Sequence, residues 1–261
     1  MIVRETEKHF IMITQVDHAA LSGDMASHFV PSVFGDDSCV EDVLYAIYEH
    51  DRSWLRLDDT PIWNDRAAAP YSFMDYPELP KLVLYRFGVD EIEQKNEYAA
   101  LLCSRHFASF YPQAATMAKE YGEFVQYEQA RQQRIINKLR LTSDSLVNRH
   151  FRLLQLCDSL SLYICLNEPG VSKEQEHPWY RNGINGSEKL FDPTDDRKLM
   201  AQWTDEETVQ LSPFPFRTPF TAALRYKRID KRSIRQLGLN EAYRQADLLE
   251  QKIAFAEAAN P

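Results

Sequence analysis

Val40, Val43, Leu44 and Ile47 are spaced i, i+3, i+4, i+7, which is one face of an α-helix. Continued by one turn, the same stripe meets His50 and Asp51. A helix that starts by burying valine and leucine therefore ends by aiming an imidazole and a carboxylate at the same interior. Buried charge is costly unless it is paired or binds a metal. Any fold for this chain has to give those two residues partners.

Partners are found by asking where else a polar side chain shares an apolar helical face. Thr14 has the character of an N-cap, with Gln15 and Asp17 in the first turn of a helix running to about Val30. On that helix His18, Leu21, Ser22, Met25 and Phe29 share one side. A turn at residues 35–38 then precedes the helix that carries His50 and Asp51. From about Pro80 to Leu166 the pattern is helical, interrupted by a single proline, Pro112. Over 91–111, Ala99, Leu102, Cys103, His106 and Phe110 form a stripe. A long polar helix over 113–140 follows, and Thr142 or Ser143 caps another that reaches Leu166. This last helix is apolar nearly all round, so it is buried on most sides, and Asp158 sits in its middle with no charged neighbour within one turn.

The ends of the chain read differently. Ile2-Val3-Arg4 and Phe10-Ile11-Met12-Ile13 form a hairpin, and Thr208–Leu211 and Thr221–Ile229 alternate as strands do, joined through Pro213-Phe214-Pro215-Phe216. Residues 168–207 read as loop, and an amphipathic helix is expected from about Asn240 to Ala258. The expected fold is mainly α: a helical bundle over 14–166, with a small antiparallel sheet made by the terminal hairpins and a C-terminal helix from 1–13 and 205–261, in one domain over 1–261.

Composition narrows the function classes. A net charge of −9 argues against coating nucleic acid, which needs a basic face, while leaving room for a small phosphorylated molecule. No stretch approaches the roughly 18 consecutive apolar residues of a membrane span, and the N-terminus lacks the pattern of a secretory signal. The four cysteines form no Cys-x-x-Cys pair and suit a reducing compartment, so the expectation is a cytoplasmic protein. Homo-oligomerisation is left open.

The order His18 … His50-Asp51 … Asp158, with 32 residues across the first gap and 107 across the second, resembles the HD-domain superfamily of metal-dependent phosphohydrolases. The resemblance spans roughly 14–166 and implies an HD-like helical bundle in which these four residues hold a divalent ion. Two imidazoles and two carboxylates suit Mn, Fe, Zn, Ni or Mg. The implied chemistry is attack of metal-activated water on a phosphoester, a nucleotide being a typical substrate, with Asp51 either bridging to a second ion or orienting the water. His106 is the fifth candidate ligand, for a second ion or a substrate phosphate. The chain also resembles an uncharacterised bacterial family that opens with Ile-Thr-Gln-x-Asp-His-Ala, here Ile13 to Ala19.

Other readings stay open beside that one. The four residues could instead form a His–Asp network tying helices together without metal. After His50-Asp51 the chain continues Arg52-Ser53-Trp54, where many active HD members carry a small apolar residue and Gly, which keeps a non-catalytic binding or sensing role in play. Arg52, next to Asp51, is the first candidate for a catalytic phosphate grip, ahead of Arg105, Lys138 and Arg149. Trp54, Trp63 and Tyr71 are candidates for a base-stacking lid, and Cys103 with His106 for a thiol nucleophile. His150 lies two turns before Asp158 and is a weaker site candidate.

Overall fold

The computed structural model describes residues 1–35, 37–192 and 194–258; Asp36, inside the turn expected at 35–38, lies outside them. In chain order the elements are β1 (Ile2–Glu5), β2 (His9–Ile13), α1 (Gln15–Ser27), α2 (Val40–Glu49), α3 (Leu55–Asp58), β3 (Trp63–Asn64) and β4 (Ala69–Pro70). There follow α4 (Glu78–Glu93), α5 (Glu97–Ser109), α6 (Lys119–Leu139) and α7 (Asp144–Leu166). The chain ends with β5 (Met200–Trp203), β6 (Thr208–Ser212), β7 (Phe220–Asp230), α8 (Lys231–Leu237), α9 (Leu239–Gln245) and β8 (Leu248–Glu257).

The helix starts follow from their caps. Thr14 Oγ1 accepts from the Asp17 amide at 3.0 Å to begin α1, and Ser143 Oγ accepts from the Leu146 amide at 3.3 Å to begin α7. Asn96 Oδ1 accepts from the Ala99 amide at 2.9 Å, so the helix expected over 91–111 is split into α4 and α5 at this residue.

The expectation of a mainly α fold is corrected by the sheet. Half of the chain is helical, and six strands form one mixed, curled sheet in the order β1-β2-β7-β8-β6-β5, which makes this an α/β fold. The segment expected as the C-terminal helix ends early, at Gln245, and 248–257 is instead the strand β8. It pairs antiparallel with β7 (Thr221 opposite Ala254) and parallel with β6 (Val209 opposite Phe255). The hairpin expected between 208–211 and 221–229 is therefore absent: β8 lies between those strands. Leu, Ala, Gln, Glu and Lys give this segment a helical composition, but pairing on both edges and burial of Ile253 and Phe255 override local preference. Met200–Trp203, expected as loop, pairs with β6 at the sheet edge.

Two apolar layers hold the sheet. α1 packs on α2, α7 and β7, and the main core runs from these helices to Ile13, Leu224, Ile253 and Phe255. On the opposite face Phe10, Met12 and Ile229 meet Leu239 and Tyr243 of α9. The unbroken apolar run of β2 is thus explained by burial on both faces.

Close approaches set where the helices carry their functional ends. At Gly23 a Cβ would lie 2.3 Å from the Tyr48 ring, so glycine makes room for that ring of α2 against α1. At Gly88 a Cβ would lie 2.7 Å from the backbone N and Cα of Ser53, which lets α4 press on the single 3-10 turn, Arg52–Trp54, that follows Asp51. Gly88→Ala is expected to force the two apart and lower stability by about 1–3 kcal/mol, read as a lower midpoint in urea unfolding; an unchanged midpoint would contradict this packing.

Among the described residues, no helix is long and apolar enough to cross a membrane.

Candidate metal centre

Four elements bring the predicted residues together. His18 comes from the first turn of α1, His50 and Asp51 from the two positions after α2, His106 from α5 and Asp158 from the middle of α7. The stripe that ends in His50 is buried along Val43, Ala46 and Ile47, and His18 and His50 are themselves fully buried.

Hydrogen bonds fix both imidazoles. His50 Nδ1 lies 2.7 Å from the Ile47 carbonyl oxygen, which can only accept, so the proton is on Nδ1. His18 Nδ1 lies 2.7 Å from Ser161 Oγ, whose own hydrogen is directed to the His18 carbonyl at 2.8 Å, so Nδ1 of His18 is again the donor. Ser22 Oγ donates to the same carbonyl at 3.1 Å. Both Nε2 atoms are left as lone-pair donors, and they face each other at 3.3 Å.

The carboxylates join them. Asp158 Oδ1 is 3.0 Å from His18 Nε2 and 3.5 Å from His50 Nε2; Asp51 Oδ2 is 3.8 and 3.7 Å from the same two atoms. Donors that share one ion at about 2.1 Å lie about 3.0–3.4 Å from one another in octahedral or tetrahedral arrangement. The Asp158 and histidine atoms, at 3.0, 3.3 and 3.5 Å from one another, are close to that spacing, and Asp51 is a small side-chain movement away. Four acceptors with no hydrogen between them repel unless a proton or a cation joins the set. These buried His and Asp groups could therefore hold a metal ion.

Electrostatics agree with that demand. Burial disfavours a charged His50, but Asp51 and Asp158 outweigh it and push its pKa up to about 9. Burial also opposes an ionised Asp158, yet a proton shared with His18 and His50, together with the nearby His106, holds it far below the usual carboxylate range. Asp51 shifts the other way: burial raises it, and His50 and His18 only partly offset this.

His106 stands at the side of the cluster. Its Nε2 is 3.8 Å from Asp158 Oδ2, and with His50 and Asp158 it forms a second set able to share an ion. Burial pushes its pKa down to about 4, so the ring is neutral, and its Nδ1 is buried with no hydrogen-bond partner among the described residues. His106, Asp51 and Asp158 border a cavity of about 800 Å³, while His18 and His50 lie behind them.

The family becomes visible at the level of the whole chain. Residues 1–231 match a family described as "Protein of unknown function (DUF3891)". The chain belongs to that family. No curated protein and no solved structure matches it. All five residues of the cluster lie inside the matched span, whereas β8, a central strand of the sheet, lies beyond it.

Other expected site residues are placed elsewhere. Arg52 is held by Glu49 and Glu91, each at 2.9 Å, and does not line the cavity. Arg105 binds Asn148, Lys138 binds Glu97, and neither these nor Arg149 borders it. Of the three lid candidates only Trp54 lines the cavity; Trp63 packs edge-on against Phe10 and Tyr71 against Tyr76. The Cys103 thiol is buried, with a pKa far above that of a free thiol, and donates to the Ala46 carbonyl, so it is no nucleophile. His150 donates from Nε2 to the Phe34 carbonyl at 2.7 Å and accepts from Tyr98 at Nδ1, away from the cluster.

Ser161 is the site residue that sequence patterning missed. It lies three residues after Asp158, hence on the same helical face, and that spacing is the signal that identifies it. Ser161→Ala removes the acceptor that fixes the His18 tautomer. Metal affinity measured by calorimetry is expected to fall about 10–100-fold with the fold retained; unchanged affinity would contradict the assignment of the ring nitrogens.

Proposed function

We propose that this chain is a cytoplasmic, metal-dependent phosphohydrolase that cleaves a phosphoester with a divalent ion held by His18, His50, Asp51 and Asp158. The observation that carries the reading is the convergence of two imidazole lone pairs and two carboxylate oxygens at the wall of a cavity large enough for a small molecule. The order of these residues along the chain, shared with the HD superfamily, supports the same reading, as do four free cysteines for a reducing compartment. Mn, Fe, Zn, Ni and Mg all suit the donor set.

A bound divalent ion supplies Lewis acidity there, polarising a phosphoryl oxygen and lowering the pKa of a water. The residues divide the remaining work. His18 and His50, with tautomers fixed through Ser161 and Ile47, bind through Nε2. Asp158 stays ionised and contributes negative charge. Asp51, the more basic carboxylate and one that borders the cavity, would orient the attacking water and take its proton at the oxygen not given to the ion. His106 faces the substrate side as a further ligand or as a donor to a phosphoryl oxygen.

A second reading rests on the cavity's one lysine. Lys81 Nζ is tied to Glu78 and to the Phe73 carbonyl, so among the described lining residues no unpaired cation is on hand for phosphate, as a metal- or ligand-binding protein without turnover would also have it.

One experiment separates the two. Protein purified without chelator is analysed for metal and assayed with Mn against p-nitrophenyl phosphate and bis(p-nitrophenyl) phosphate. Bound metal and turnover are expected, with both lost when His50 and Asp51 are changed to Ala. Metal without turnover supports the binding protein, and absence of metal, with no change in the double variant, overturns the metal centre in either reading.

A further inference from the structure

Charge and shape in the cavity restrict what the centre can accept. Apart from His106, its ionisable lining groups other than tyrosines are Asp51, Asp158, Glu78 and Lys81. Lys81 is neutralised by Glu78, and a divalent ion is balanced by Asp51 and Asp158. Nothing among the described lining residues is left to offset the extra charges of a polyphosphate chain, and desolvating those charges without partners is costly.

The rest of the wall is aromatic. Trp54, Tyr85, Phe110, Tyr111 and Trp179 line it. The Tyr85 ring stacks on Phe107 at 4.1 Å between centroids, and Trp54 packs edge-on to Tyr85 at 6.2 Å, so this wall is rigid. It reaches the metal centre directly: the Phe110 ring lies 4.7 Å from that of His106, edge to face. At the mouth, Met74, Phe110, Met117 and Trp179 border the cavity while staying 45%, 46%, 44% and 49% exposed. Large apolar side chains gathered around an opening and left in water mark a binding surface rather than a packed core.

We infer that the substrate is a phosphoester of low charge that carries one bulky apolar or aromatic group, held against Phe110 and Trp179 with its phosphoryl group at His106 and Asp158, and that nucleoside triphosphates and other polyphosphates are excluded. The inference rests on the phosphohydrolase reading for the phosphoryl group and on the cavity wall for the organic group. A planar aryl group and an alkyl chain both satisfy that wall.

Binding of uncleavable phosphonates tests it without turnover. Calorimetry on the metal-loaded protein compares methylphosphonate, phenylphosphonate, octylphosphonate and inorganic triphosphate. Phenyl- or octylphosphonate is expected to bind about 10–100-fold more tightly than methylphosphonate, the better of the two identifying the aryl or the alkyl source, with triphosphate weakest. Phe110→Ala and Trp179→Ala, at half-exposed positions, are expected to remove most of this preference, read within each variant as the ratio of phenyl- or octylphosphonate affinity to methylphosphonate affinity. Equal affinity for methyl- and phenylphosphonate with no gain for octylphosphonate, tightest binding of triphosphate, or no binding of any phosphonate overturns the inference. A preserved preference in a protein that turns over no phosphoester sinks the hydrolase reading alone; turnover with no preference sinks this inference alone.

Discussion

Two imidazole nitrogens facing each other at 3.3 Å, in rings whose neutral form carries its one hydrogen on the far side, are the constraint on which the site depends. Ile47 and Ser161 determine where the protons are, and from that it follows that the inner atoms are all acceptors. Adding Asp158 at 3.0 Å and Asp51 just beyond concentrates negative potential in a space closed to water on the His18 and His50 side. Such a set is stable only around a positive charge. The elevated His50 pKa expresses the same need, met by a proton, that a divalent ion would meet with four bonds.

The fold serves this arrangement through a few close contacts. Gly23 allows α1 and α2 to approach, and Gly88 allows α4 to press on the turn after Asp51, so three helices and one turn are locked in register around the cluster. The sheet contributes at a distance. It backs α1 through β7 and α7 through β1, which fixes the two helices that carry His18 and Asp158.

Much of the site was legible because helical periodicity is a strong local signal. His18, His50, His106 and Asp158 each share a face with residues that the structure buries, and the caps at Thr14 and Ser143 lie where the sequence places them. What was not legible depends on long-range pairing. β8 has the composition of a helix and becomes a strand because β6 and β7 flank it. Trp179 reaches the cavity from an irregular segment with no period to read, and Phe73 and Met74 do so from the proline-rich stretch before α4. Arg52 shows the limit of adjacency: one residue from Asp51, it turns to Glu49 and Glu91 because successive side chains do not share a direction.

X-ray absorption at the metal edge of protein loaded with Mn or Zn reads the ligands of the ion directly. Two imidazole nitrogens and carboxylate oxygens are expected around the ion at about 2.0–2.2 Å, with the imidazole scattering reduced in His18→Ala. Water oxygens without imidazole around the ion, or a spectrum unchanged by loss of His18, would contradict this coordination.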